Sequence, residues 1–215
     1  MTEYEWLAGG DPIDMLLVPP GDAVGDRKVR LLLVACCRRV WGAMSDRNRA
    51  AVEVAERFAD GLASQQEREA TERDSALYRD VGDEAVEPEH QPQSYWCDVA
   101  AWKANEQDAQ LGVGDVCDAT RRVAEDEGEE VAQARLLRCI AGNPFRPVAI
   151  RDGWRSPEAV ALAGRVYDSR DFSRLHELAA ALSRAGCGDE EVLSHCRTGE
   201  HARGCWVVDG VLGRR

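Results

Sequence analysis

Apolar residues recur at helical spacing over most of the chain, and this periodicity constrains the fold more than any other feature. The segment 27–44 carries apolar residues at steps of three and four: Val29, Leu32, Leu33, Cys36, Cys37, Val40 and Trp41. This spacing places all of them on one face of a helix that Asp26 can cap. Both adjacent cysteines lie on that face, and we expect them in the core because a buried cysteine behaves as a small hydrophobe.

Weaker stripes of the same period predict the helices that follow. Ser45 is placed to cap a helix over 46–60, a charged helix is predicted over 64–80, and Ser94 opens another. Gly112 and Gly114 interrupt the pattern, and one long helical segment is expected from there to about residue 140.

The C-terminal part begins with the run GNPFRPV at 142–148, whose two prolines favour extended backbone. Helices are predicted after Ser156-Pro157, after Ser173 and after Asp189, whereas the apolar run 205–212 fits a strand or a final packed turn.

The expected fold is therefore mainly α, an irregular multi-helix bundle with a Pro-rich crossing loop near 142–148 and little or no β. A compact chain of 215 residues hides about 70% of its surface, which is enough for a core. We expect a single helical domain over 1–215, with 1–141 and 142–215 as its alternative halves.

The formal net charge of -12 comes entirely from residues 51–150, because the two flanking regions are neutral. It peaks at Asp83–Glu89 and Glu125–Glu130, which fit solvated helix faces and a loop, or an acidic surface for a basic partner or cations. This balance makes a nucleic-acid partner unlikely, although Arg27, Lys28 and their neighbours (Arg30, Arg38 and Arg39) form a local basic cluster. No apolar run of about 18 residues is present, so no membrane association is expected.

The N-terminal sequence MTEYEWLAGGDP lacks the apolar segment of a signal peptide, which predicts a cytoplasmic protein with reduced thiols. The eight cysteines are then core residues, metal ligands or reactive thiols. The densest group of candidates is Cys187, His195, Cys196, His201 and Cys205. Zinc takes four nitrogen or sulfur ligands, and His201 and Cys205 have a compatible spacing.

The candidate metal ligands are His195, His201 and Cys205, joined by a residue from elsewhere or by Cys196. Cys196 fits less readily because adjacent helical residues point about 100° apart. Two alternatives stay open. In the first, the cysteines lie in the core and the histidines lie at its polar edges. In the second, Cys205 or Cys196 is a reactive thiol, and Arg197 and Arg203 lower its pKa.

The sequence contains no phosphate-binding loop, no GxSxG, no HExxH and no GxGxxG motif. A non-catalytic helical interaction or adaptor protein is therefore the first hypothesis, with an unidentified protein partner and no cofactor. Phe145, Arg146 and Trp154 are its candidate contact residues, because a Pro-stiffened loop displays side chains at low entropic cost. The alternative is a metal-binding (zinc-like) or thiol-dependent protein that uses the C-terminal histidines and cysteines.

Five stretches of the chain stand out together: MTEYEW at 1–6, DRKVRLLLVACCRR at 26–39, AVEVAERFADGL at 51–62, GNPFRPV at 142–148 and HCRTGEHARGCWVVD at 195–209. Taken together, they resemble a multi-copy family of hypothetical proteins encoded by planctomycete bacteria such as Gemmata. The resemblance covers nearly the whole chain, and the acidic middle matches least. It implies a bacterial, cytoplasmic protein with paralogues, and it transfers no catalytic residue.

Overall fold

The chain folds into α-helices, as its periodicity predicts. The structure is a computed structural model that describes residues 1–17, 20, 24–79 and 90–214, without the side chains of 76–79. Within these residues there are twelve α-helices and no strand, which confirms the mainly α prediction. They are α1 Glu3–Ala8, α2 Pro12–Leu17, α3 Asp26–Arg39, α4 Asp46–Ala59, α5 Gln65–Arg79, α6 Gln93–Lys103, α7 Ala109–Ala124, α8 Glu129–Ala141, α9 Pro157–Ser169, α10 Leu175–Arg184, α11 Glu190–His195 and α12 Trp206–Leu212.

The helices divide into two compact units. The N-terminal unit comprises Gly9–Ala134, and the C-terminal unit comprises Arg135–Arg215 together with Met1–Ala8. The division falls within α8, ahead of the Pro-rich segment 142–148, which is non-helical as predicted. The C-terminal unit therefore includes α1, from the start of the chain. The sequence pattern did not indicate that α1 belongs to this unit.

Helix α3 forms the centre of the N-terminal unit and packs on α4, α6 and α7. Every residue from Val29 to Cys37 is buried, which confirms the expectation that Cys36 and Cys37 lie in the core. Burial raises the pKa of the Cys37 thiol, so this side chain stays neutral. The helix ends at Arg39, five residues before the predicted end at Met44.

The basic residues of α3 are paired with carboxylates of the same unit. Arg38 lies 2.9 Å from Glu56, and Arg39 lies 2.9 Å from Glu129. Both carboxylates are buried, so Glu129 is not part of a solvated acidic face, whereas Asp83–Glu89 lies outside the described residues. Arg38 and Arg39 are thus held in ion pairs, and Arg30 is fully buried. The basic residues of α3 therefore do not form an open basic face.

The long helix expected up to residue 140 is two helices. α7 ends at Ala124, where Glu125 adopts a left-handed conformation with φ 51°, and α8 begins at Glu129. Conversely, Gly112 and Gly114 do not interrupt the helix but lie inside α7.

These two glycines have different surroundings, which gives a matched pair of variants. A Cβ at Gly112 would lie 2.6 Å from the backbone oxygen of Lys103, whereas a Cβ at Gly114 would meet nothing within 4 Å. We expect Gly112→Ala to destabilise the protein by about 1–3 kcal/mol, because the α6–α7 packing must open. Gly114→Ala is expected to stabilise it by about 0.5–1 kcal/mol through helix propensity. Urea unfolding followed by circular dichroism checks both, and equal effects would contradict this account of α7.

The C-terminal unit has its own apolar core, in which α9 packs on α10 and α12. Ser156 caps α9 by accepting a hydrogen bond from the Ala159 amide, as predicted. The run 205–212, expected as a strand or packed turn, is helix α12. Its buried valines, Val207, Val208 and Val211, lie at helical spacing.

Candidate metal centre

Four side chains of the C-terminal unit converge on one point. Cys139 lies in the last turn of α8, and His195 is the last residue of α11. His201 lies in the connection that follows, and Cys205 is the N-cap residue of α12. One ligand atom from each of these four residues lies within 4.8 Å of all the others.

Local sequence signals position three of the four residues. Asp189 caps α11 by accepting from the amides of Glu191 and Val192, and this helix ends at His195. The connection to α12 contains Gly199 and Gly204 at φ 97° and 86°, a left-handed region that favours glycine. The turn that ends at Gly204 is closed by a hydrogen bond from the Cys205 amide to the Ala202 carbonyl, 3.1 Å.

The separations between nitrogen and sulfur suit a shared tetrahedral metal. Cys139 Sγ lies 3.5 Å from His201 Nδ1, and Cys205 Sγ lies 3.2 Å from His195 Nε2. Bonds of about 2.3 Å to sulfur and about 2.0–2.1 Å to nitrogen, at tetrahedral angles, separate the two donors by about 3.5 Å. The two imidazoles are edge to face, with ring centroids 4.9 Å apart. These two nitrogen–sulfur separations are therefore close to those in a zinc site, and the four residues form an S2N2 donor group within 4.8 Å.

Hydrogen bonds and a neighbouring charge favour the thiolate form of Cys205, against the effect of its burial. Complete burial would raise the pKa of this thiol, but hydrogen bonds with Cys139, His195 and His201 and the charge of His195 hold it well below its usual range. Cys196 behaves in the opposite way, because burial and the neighbouring Cys205 and Cys187 raise its pKa. Of these two cysteines, only Cys205 is set up as an anionic ligand.

A small cleft of about 140 Å³ lies beside the group and reaches only one of its members, His195. Trp206 forms another wall, with its ring 5.3 Å from the His195 ring. Gly142, at φ 75°, lets the indole approach, since a Cβ there would lie 3.2 Å from Trp206 Cγ. The cleft does not reach the donor atoms of the other three residues.

The structure brings together three of the four ligands named from the sequence and supplies Cys139 as the residue from elsewhere. Cys196 lies outside the group, in the apolar core of the unit, because it follows His195 and projects in another direction. Cys187 is buried in the same core. Cys139 could not be singled out, because a cysteine beside Ile140 on a helix fits a core position equally well.

The candidate partner-contact residues are placed differently from one another. Trp154 is 7% exposed and packs in the core, so it is not displayed to a partner as expected. Phe145 is half-buried. Arg146 is exposed and pairs with Glu3, with Nε 2.8 Å from Oε1. Only the last two therefore keep an accessible surface.

Two broader findings bear on the class of protein. Among the described residues, no helix has both the length and the apolar character that a membrane span needs. Comparisons with protein-family models, with curated proteins and with solved structures found no match to this chain.

Proposed function

We propose that this protein binds one zinc ion through Cys139, His195, His201 and Cys205, and that the metal stabilises the C-terminal unit. The observation that supports this proposal is the convergence of the four ligand atoms within 4.8 Å. Unlike the acidic clusters common on protein surfaces, this group combines two buried sulfurs with two partly buried imidazoles.

The donor set favours zinc over other common cations. Magnesium and calcium take oxygen ligands, whereas paired thiolates and imidazoles in tetrahedral array are typical of zinc. Mutual repulsion of two thiolates in a buried site is offset when a divalent cation lies between them. The hydrogen bond between His195 and Cys205 shows that Nε2 faces the centre, so coordination would leave the proton of this ring on Nδ1.

Four protein donors point to a structural site. Catalytic zinc sites keep a position open for water or substrate, whereas structural sites are closed by four protein ligands. Both cysteines are at most 2% exposed, and of the four residues the neighbouring cleft reaches only His195. The same burial argues against the thiol-enzyme hypothesis, because the cleft that could hold a bulky substrate does not reach Cys205.

The metal would link an exposed connection between two helices to the core of the unit. Residues 197–200, between α11 and α12, are exposed, and the chain there contains no helix. Coordination by His201 and Cys205 would fix this connection to α8 and α11 through two short bonds. The binding free energy of a structural metal then adds to the free energy of folding.

Metal analysis of protein purified without added zinc tests the proposal. We expect about one zinc per chain in the wild type, and a loss of most of it in His201→Ala and Cys205→Ala. Cys196→Ala is the matched control, because it removes a nearby buried cysteine outside the group and should keep the metal. A wild type that contains no zinc and binds none on titration would refute the proposal.

A structural zinc is compatible with the sequence-based hypothesis of a non-catalytic helical interaction protein. That hypothesis, its protein partner and a cytoplasmic location stay predictions, as does membership of the planctomycete family. Phe145 and Arg146 are the contact residues that retain an accessible surface.

A further inference from the structure

Two of the four donors are sulfurs that approach one another closely. Cys139 Sγ and Cys205 Sγ lie within 4.8 Å of each other, on the same side of the unit as the two histidines. A disulfide needs a separation of about 2.05 Å, so the sulfurs would have to approach by at most about 2.8 Å.

We infer that the centre is also an oxidant-responsive dithiol, in which a hydroperoxide joins Cys139 and Cys205 in a disulfide and the zinc is released. This inference rests on the proposed zinc function and adds its regulation. The two histidines left behind are too few ligands to retain a tetrahedral zinc ion.

The reaction balances with the peroxide as the sole oxidant. One thiolate attacks a peroxide oxygen, the O–O bond breaks, and a sulfenic acid and a hydroxide (or alkoxide) are formed. The second thiolate then attacks the sulfenic sulfur, so that the S–S bond forms, the S–O bond breaks and a second hydroxide leaves. The two sulfurs lose two electrons, and the peroxide gains them.

The two cysteines differ in how easily they can move. Cys139 lies inside α8, where the helix fixes its backbone. Cys205 ends a connection that contains Gly199 and Gly204 and precedes the short helix α12. The approach of the two sulfurs would therefore come mainly from the segment 199–205, which zinc release also frees.

Neighbouring thiols provide competing pairings. Cys187 and Cys196 lie in the same core as the Cys139–Cys205 pair but outside the group of four converging ligand atoms. Neither belongs to the group of four, so neither would be held as a thiolate by the metal. The inference therefore predicts one specific disulfide among the cysteines of this unit.

The test exposes zinc-loaded full-length protein to hydrogen peroxide. We expect one zinc released per two thiols lost, with the thiol count under denaturing conditions falling from eight to six. Peptide mapping should identify a Cys139–Cys205 link, and dithiothreitol with added zinc should restore the starting state. In Cys196→Ala the same release should accompany a fall from seven thiols to five.

Three results would overturn the inference: zinc retained under peroxide, zinc released without thiol loss, or Cys205 joined to Cys196 or Cys187. Each of these requires that zinc is bound at the start, so each leaves the proposed zinc function standing. Protein that never binds zinc contradicts the proposed function itself, which separates the two failures.

Discussion

Removing the zinc ion that we propose is expected to lower the melting temperature of the protein by about 8–16 °C. A ligand present at about 1,000 times its dissociation constant stabilises the folded state by about 4 kcal/mol. For a chain of this size each kcal/mol corresponds to about 2–4 °C. The measurement is a thermal melt followed by circular dichroism, before and after chelation, with the metal content determined in both samples.

The matched control for this melt is His201→Ala, which removes one ligand while leaving both sulfurs in place. It should begin near the melting temperature of the zinc-free wild type and should not respond to the chelator. If confirmed zinc removal leaves the wild-type melting temperature unchanged, the metal does not stabilise the C-terminal unit and the structural role is wrong.

The helices were predictable because burial of one face leaves a period of 3.6 residues in the sequence. The positions at which one helix ends and the next begins were less predictable. Glu125 adopts a left-handed conformation, and no glycine at that position announces it in the sequence. The structure therefore has two helices where the sequence predicted one. The run 205–212 was ambiguous for another reason: a short apolar stretch has no room to show a period, and only packing on α9 resolves it as a helix.

Only the ligands of the candidate centre that lie close together in the sequence were predictable. His195, His201 and Cys205 are close in sequence, so their clustering is visible without a structure. Cys139 precedes His201 by 62 residues and occupies an ordinary apolar helix position. Only the structure shows that its sulfur, within the core of the C-terminal unit, lies beside the two histidines.

The burial of Arg30 is a feature that hydrophobic periodicity does not predict. It lies between apolar residues of α3, where a periodic pattern assigns an arginine to a solvated face. In the structure it is fully buried and donates to the carbonyls of Ala104, Glu106 and Gln107, which close the turn between α6 and α7. Its guanidinium also lies 5.1 Å from the Phe58 ring.

Replacing Arg30 with alanine is expected to destabilise the N-terminal unit by about 3–5 kcal/mol. The substitution leaves a cavity in the core, at the upper range of large-to-small replacements. It also removes every hydrogen bond that Arg30 gives to the α6–α7 turn, and a buried acceptor left without its donor, here the Ala104 carbonyl, costs about 1–3 kcal/mol. Urea unfolding measured by circular dichroism gives the change in the free energy of unfolding.

Two variants separate this contribution from the loss of a positive charge alone. Arg73→Ala removes an exposed arginine of α5 in the same unit and should change the free energy of unfolding by no more than about 0.5 kcal/mol. Arg30→Lys keeps the charge but replaces the planar fork by one ammonium, which cannot reach all three carbonyls, so most of the loss should remain. A lysine variant as stable as the wild type would show that charge, rather than the hydrogen bonds to the turn, is what α3 needs at this position.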